Sequence, residues 1–371
     1  MTCGPSHLPF SKLALQKTIY GCTSVLQAKI TIPTNDDESN TVQDGHMGHG
    51  VANQGTHDHK PGVLSRPSYS DCLKAGTKAI CSIRKNCNSD WCRFSLRPEA
   101  EKLIAQYGGL QSSPRAVFVQ TDVTSWAALT QMFEVALEEF GDFHILCPGA
   151  GIYEPHWSNF WHPPGSPESK DGLDSNRYYL LDINLTHPIR TTQLALSYWL
   201  HPRSRPSSFH PVAEPVSPEN PKRIIHISSV AGQIPNFNAP IYGASKFAIT
   251  GFVRCLAPLD QAIGVRINAV APGIIRTPLW TEHPEKLLQL DQEKDGWATA
   301  DEVAMAMLRC LDDEDLEGGA ILEVGKNSTR RVEVLNDPGP DESLGTAFKA
   351  SKAEEAAERI LYWLRQSDIW G

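Results

Sequence analysis

From about Ser95 to Gly325 apolar and polar positions follow two regimes that take turns along the chain. Short, nearly continuous apolar runs are "RAVFVQTDV", "FHILCPGAG", "RIIHISS", "VRINAVAPG" and "GAILEVG". Between them lie segments with apolar residues at helical spacing: "RPEAEKLIAQYGG", "SWAALTQMFEVALEEFG", "INLTHPIRTTQLALSYWL" and "YGASKFAITGFVRCLAPL". Pro98 suits a first helical turn, and Gly141 suits the position just past a helix end. Strands that are apolar on both faces and alternate with helices predict an α/β fold, a doubly wound parallel sheet covered on both sides. Such sheets bind ligands at the carboxyl ends of their strands.

The flanks behave differently. Residues 1–94 carry a polar stretch rich in Gly, Pro and His with no sustained period, and read as an irregular, degenerate N-terminal part of a single domain. Within it "QAKITIP" and "TKAICSIR" are strand candidates. Residues 95–330 form the predicted core, and 331–371 a helical extension with an apolar end at Ile360, Leu361, Trp363 and Leu364, suited to docking on the body or on a second subunit. Two stretches rich in Pro and Ser, from Glu154 to Arg177 and from His201 to Pro221, are expected as surface excursions.

Composition narrows the class without choosing the chemistry. A net charge of −9 gives no electrostatic footprint for nucleic acid or an anionic membrane. No apolar run is long enough to span a bilayer, and the tail's mixed charges do not make a basic membrane-facing helix. The chain has 9 cysteines without a C-x-x-C pair, so reduced cytosolic thiols and a cytoplasmic location are expected, with no metal site. Lys12, Lys17 and Lys29 stand in an N-terminus without acid, but the absence of arginine there disfavours a transit peptide. His46, His49, His57 and His59 are read as loop residues.

Tyr242 and Lys246 are one helical turn apart and share a face. A free phenol has a pKa of about 10, and a cation about 4 Å away is worth roughly 4 kcal/mol at an effective dielectric near 20. That predicts a phenol lowered by up to ~3 units and able to exchange a proton with a substrate hydroxyl. Ser229 falls where the strand "RIIHISS" ends, and its hydroxyl is placed to hold a substrate oxygen beside the phenol.

The stretch "SSVAG…YGASK" resembles the short-chain dehydrogenase/reductase family in its common form, a Rossmann-like fold that uses NAD or NADP. The likeness covers about Ser95 to Gly325. It implies hydride transfer between a nicotinamide and a secondary alcohol or ketone. Ser229 would orient the oxygen, Tyr242 move the proton, Lys246 tune the phenol and bind the nicotinamide ribose, and Asn184 in "DINLT" complete a proton relay. Further segments resemble cofactor contacts: Asp122 with Val123 toward adenine, Gly149, Ala150 and Gly151 for close backbone approach, and Pro272, Gly273, Ile275 and Thr277 over the nicotinamide. Pro148 stands where the family usually has asparagine. Within the family, "HISSVAGQIPNFNAPIYGASK" is similar to 15-hydroxyprostaglandin dehydrogenase-like members, which oxidise secondary alcohols with NAD.

The family's opening strand and T-G-x-x-x-G-x-G turn have no copy. Gly45 to Gly50 has G-x-x-G-x-G spacing but neither a strand before it nor a helix after it. Arg93 or Arg84 falls near the ribose-binding position, depending on which segment is the second strand. Two functions therefore stand: an active dehydrogenase or reductase, and an impaired relative serving as a binding or scaffold protein. Trp157, Phe160, Trp161 and Trp280 either wall a pocket for an apolar alcohol or ketone or pack their own loops. A homo-oligomer is compatible with the resemblance.

Overall fold

The computed structural model describes residues 79–82 (backbone only), 117–203, 210–281, 287, 296–334, 358 and 361–367. The expected helix at 97–109, the strand "QAKITIP", Gly45 to Gly50, the four N-terminal histidines, Arg84 and Arg93 lie outside them.

Six strands form one sheet in the order of the chain. They are β1 (Ala79–Ser82), β2 (Ile145–Pro148), β3 (Lys222–Ile227), β4 (Val265–Pro272), β5 (Ile321–Gly325) and β6 (Ser328–Arg331). The first five run parallel, and β6 returns antiparallel to β5. Ala79 to Ser82, inside the candidate "TKAICSIR", pair directly with β2. The segment 117–122, expected as a strand, makes no ladder with the described strands. Strand β6 has no apolar period and was not expected. A two-residue turn returns the chain there, with Asn327 at φ 55°, a left-handed position that asparagine tolerates.

Alternate residues of each strand feed two cores, as a sheet covered on both faces requires. Leu146, Ile224, Ile267 and Ala269 face a core built with α1 (Trp126–Phe140), α3 (His187–Leu200) and α4 (Pro240–Cys255). Ile145, Ile225, Val270 and Leu322 face the other. There they meet Val303, Met307 and Leu311 of a helix at Ala300–Asp312, which the periodicity reading above omits. Its start is legible: the side chain of Thr299 accepts from the Glu302 N–H, and the Glu302 carboxylate accepts from the Thr299 N–H.

Local signals place the other helices. The Ser125 side chain accepts from the Ala128 N–H at the start of α1, and Gly141 at φ 77° ends it. Helix α3 is the last part of a continuous helical run: α2 (Tyr179–Leu181), then a π turn (Asp182–Thr186), then α3. After α4 come α5 (Leu259–Ile263), α6 (Pro278–Thr281) and α7, the Ala300–Asp312 helix. Gly264, at φ 79°, ends α5; a Cβ there would come within 2.4 Å of the Ser217 carbonyl oxygen.

The C-terminal stretch docks on the body. Leu364 is buried in the α1-side core, and its carbonyl oxygen lies 2.9 Å from His201 Nε2. Among the described residues no helix is long and apolar enough to cross a membrane.

Phe133 is fully buried and touches Phe143 edge-on and Tyr198 face-on, with ring centroids 5.4 and 5.6 Å away. Truncation removes this packing and leaves a void. Phe133→Ala should therefore cost about 3–5 kcal/mol, read as a lowered urea midpoint with little change in slope.

Candidate active site

Three strand ends open on one cleft of about 390 Å³. Gly149 and Gly151 follow β2, Ser229 follows β3, and Pro272 and Gly273 follow the course of β4. Tyr242 and Lys246 enter from α4, and Ile275 and Thr277 from the next loop. The structure thus gathers most of the residues expected from sequence. Ala150 is buried beneath the turn, and Val123 belongs to the core. Asp122 does not line the cleft. Its Oδ1 accepts from the Thr124 N–H and hydroxyl at 2.9 and 2.8 Å, a turn leading into α1.

The Ser229 hydroxyl accepts from the Ala231 N–H at 3.2 Å, donates to the Pro272 carbonyl at 3.3 Å, and is hydrogen-bonded to the Tyr242 phenol. Residues 230–232 form a short 3₁₀ turn against α4. A Cβ on Gly232 would sit 2.7 Å from the Lys246 carbonyl oxygen, so only glycine permits this approach. Serine and tyrosine are thereby held side by side.

Lys246 is buried, donates from Nζ to the Ile227 carbonyl at 2.8 Å, and has Nζ 5.4 Å from the Tyr242 ring centroid. Burial pulls its pKa down to about 8. The phenol moves opposite to the sequence expectation. Burial, partly offset by the Ser229 hydrogen bond, pushes Tyr242 up to about 12. The side chain is only half-buried by surface area, so water in the cleft moderates that push. The direction is upward: burial, with Tyr153 adding to it, outweighs the Ser229 hydrogen bond.

Asn184 lies in the π turn. Its Oδ1 accepts from the Ile152 N–H at 2.9 Å and its Nδ2 donates to the Ile152 carbonyl at 2.8 Å. This two-way clasp braces the chain just after Gly149–Gly151. Nδ2 also reaches Ser245 Oγ, at 3.4 Å. π turns are short insertions that often mark functional positions.

One positioning residue was missed. Glu154 is buried, and its Oε2 accepts from the Tyr242 backbone N–H at 2.8 Å, filling one of the open donors in the first turn of α4. Its Oε1 accepts from the Phe160 N–H at 3.0 Å. A carboxylate 88 residues from its partner leaves no spacing signal. The loop expected as a plain surface excursion is therefore pinned from inside, also by Asp171, which accepts from Ser158 Oγ and the Tyr179 N–H, both at 2.9 Å.

The aromatics divide. Tyr153 and Trp280 line the cleft, with Tyr153 edge-on to Tyr242 at 4.8 Å and 5.2 Å from Trp280. Trp157 packs on the core, and Phe160 and Trp161 face solvent. The last three pack the loop rather than wall the cleft.

The cleft's donor set fits the nicotinamide end of a dinucleotide. It offers a glycine-walled floor, a buried ammonium with three donors of which Ile227 takes one, and an apolar rim.

Behind Lys246 sit two buried histidines. His187 Nδ1 faces the Ile183 carbonyl at 3.2 Å, and His226 Nε2 faces Thr192 Oγ1 at 3.2 Å. Burial lowers His187 to about 4. Burial, then His187 and Lys246, lower His226 to about 3. Folded-state values below the unfolded 6.5 mean that the unfolded chain takes up protons first as pH falls. Stability from these groups is complete above pH 6.5 and is lost on descent toward pH 4 and then 3. The unfolding free energy should fall across that window, by several kcal/mol in all at about 1.4 kcal/mol per unit, read as a falling urea midpoint, and His226→Gln should make the drop shallower.

The family model described as short chain dehydrogenase matches residues 92–288. The short-chain dehydrogenase/reductase prx7 of Penicillium rubens is 28% identical over 168 residues, 45% of this chain and 54% of that protein. The 15-hydroxyprostaglandin dehydrogenase (NAD(+)) of Rattus norvegicus is 27% identical over 224 residues, 57% of this chain and 71% of the other. The L-fucose dehydrogenase of Bos taurus is 30% identical over 169 residues, 46% and 52%. The chain spans about half the length of the first and the third.

Proposed function

Because the chain belongs to the short-chain dehydrogenase family, we propose that it is a nicotinamide-dependent oxidoreductase working on an alcohol/ketone pair, with Tyr242 as its acid–base group. The observation that carries this reading is the meeting of Ser229, Tyr242 and Lys246 in one cleft with the glycine turn after β2. Bound NAD or NADP supplies or accepts the hydride at the carbinol carbon. NAD is the choice favoured by the prostaglandin-dehydrogenase relative, whose name carries it.

The chain's own residues do the rest. Ser229 turns its one hydroxyl proton from the Pro272 carbonyl to the substrate oxygen. Tyr242, which holds its proton, donates it to a carbonyl oxygen as that oxygen becomes an alcohol. In the oxidation direction the same phenol takes the proton back from the alcohol. Lys246 offers its remaining donors to ribose hydroxyls. Gly149, Ala150, Gly151, Pro272, Gly273, Ile275 and Thr277 give backbone and small walls to the nicotinamide half; Asp122 with Val123 would serve the adenine end through backbone groups, since the carboxylate is held in its turn and the valine in the core. Asn184 braces the turn and stands on the proton path to solvent. Tyr153 and Trp280 favour an apolar substrate. The buried thiols of Cys147 and Cys310 accord with the reducing, cytoplasmic setting we propose.

A second reading, an impaired binding or scaffold protein, is favoured by one feature: the sequence has no T-G-x-x-x-G-x-G turn. Titration with NADH and NADPH, followed by nicotinamide fluorescence, separates the two. The enzyme reading expects binding, and expects Tyr242→Phe to bind while turning over at least ~100-fold more slowly. Reduction by the unsubstituted protein should hold steady up to pH about 8 and decline as Lys246 loses its charge. Failure to bind either dinucleotide at millimolar concentration favours the second reading, and full activity in Tyr242→Phe removes the assignment of the proton donor.

A further inference from the structure

The loop between β2 and α2 carries a cluster unused by this chemistry. His156, His162 and Glu168 bring one ligand atom each to within 4.8 Å of one another. Glu168 Oε2 lies 3.0 Å from His156 Nδ1 and 3.7 Å from His162 Nε2, so both imidazoles aim at one carboxylate oxygen. The two rings lie almost parallel, with centroids 4.4 Å apart and planes at 25°. Ligands about 2.0–2.1 Å from a tetrahedral zinc stand about 3.3 Å from one another. The two measured separations bracket that edge.

A second observation concerns the other nitrogen of His162. Its Nδ1 faces the side-chain oxygen of Asn159 at 3.5 Å. An imidazole that gives its Nδ1 proton to an amide oxygen presents Nε2 as a lone pair, and metal-bound histidines are oriented this way. Asn159 is itself buried and fixed: Nδ2 donates to the Glu154 carbonyl at 2.9 Å, and Oδ1 accepts from the Trp161 N–H at 2.8 Å. The ligand bearing His162 is therefore carried on a prearranged support, while the three ligand side chains remain reachable from solvent.

We infer that His156, His162 and Glu168 form a binding site for a divalent transition cation of the zinc type. Two imidazoles and one carboxylate select zinc-like ions over magnesium or calcium, which prefer oxygen alone. A fourth position is left for water. The ion ties residue 156 to residues 162 and 168, clasping the loop whose inner face caps α4 through Glu154. The proposal does not depend on the reaction assigned above.

The test is a titration of the full chain, freed of metal by chelation, with Co2+, followed by visible absorption and by competition with Zn2+. The chain should take up one equivalent more than the His156→Ala/His162→Ala variant, with the intense visible bands of tetrahedral cobalt. Glu168→Gln should weaken that equivalent at least tenfold. Zn2+ should slow amide exchange across residues 156–168 in the unsubstituted chain and not in the double variant. The substituted side chains are solvent-accessible, so the variants should unfold like the parent when metal-free. Equal uptake and identical spectra in parent and double variant overturn the proposal, as does loop exchange unaffected by Zn2+.

Discussion

A buried carboxylate holds helix α4 in place. Glu154 accepts the backbone N–H of Tyr242 at 2.8 Å, satisfying one of the donors that a first helical turn leaves open. Its backbone sits at φ 31°, a conformation unfavourable for glutamate by about 1–3 kcal/mol. The strain persists because the surroundings fix the residue three times over, through the Tyr242 N–H, the Phe160 N–H and the Asn159 amide. On the other side of the same turn, Gly232 lets the 3₁₀ segment press on the Lys246 carbonyl. With α4 fixed from both sides, the backbone that carries the phenol is held next to Ser229. Every chemical role in the cleft follows from that placement.

Placement brings a cost, and the cost decides the electrostatics. A site tight enough to align serine, tyrosine and lysine also strips water from them. Desolvation disfavours a phenolate and an ammonium alike, so Tyr242 rises to about 12 while Lys246 falls to about 8. Simple Coulomb attraction at a fixed distance predicts the reverse for the phenol. In the proposed reaction this makes Tyr242 the proton donor, beside a cation whose charge is easily lost. Behind them, His187 and His226 are kept neutral by the same burial, so no further positive charge crowds Lys246.

Much of this was legible from residue order alone. The apolar runs at β2, β3, β4 and β5 and the helical spacing of α1, α3 and α4 are strong local signals, and the Ser229, Tyr242 and Lys246 spacing survives into three dimensions. What stayed hidden depends on partners distant in sequence. Glu154 caps a helix across 88 residues. The run 117–122 has strand-like composition and pairs with none of the described strands. Strand β6 is exposed throughout, so nothing apolar announces it. The direction of the Tyr242 shift depends on burial, which spacing does not report. Helix α7 is a different case, since the Thr299 and Glu302 capping pair was there to be read.

The central claim, that the confined phenol of Tyr242 keeps its proton, is open to direct measurement. An ultraviolet pH titration of the unsubstituted protein minus that of its Tyr242→Phe variant isolates the ionisation of this one ring. No phenolate signal should develop before the pH of free tyrosine, about 10, is passed. A difference signal with a midpoint below that value would contradict the account and restore the lysine-lowered base.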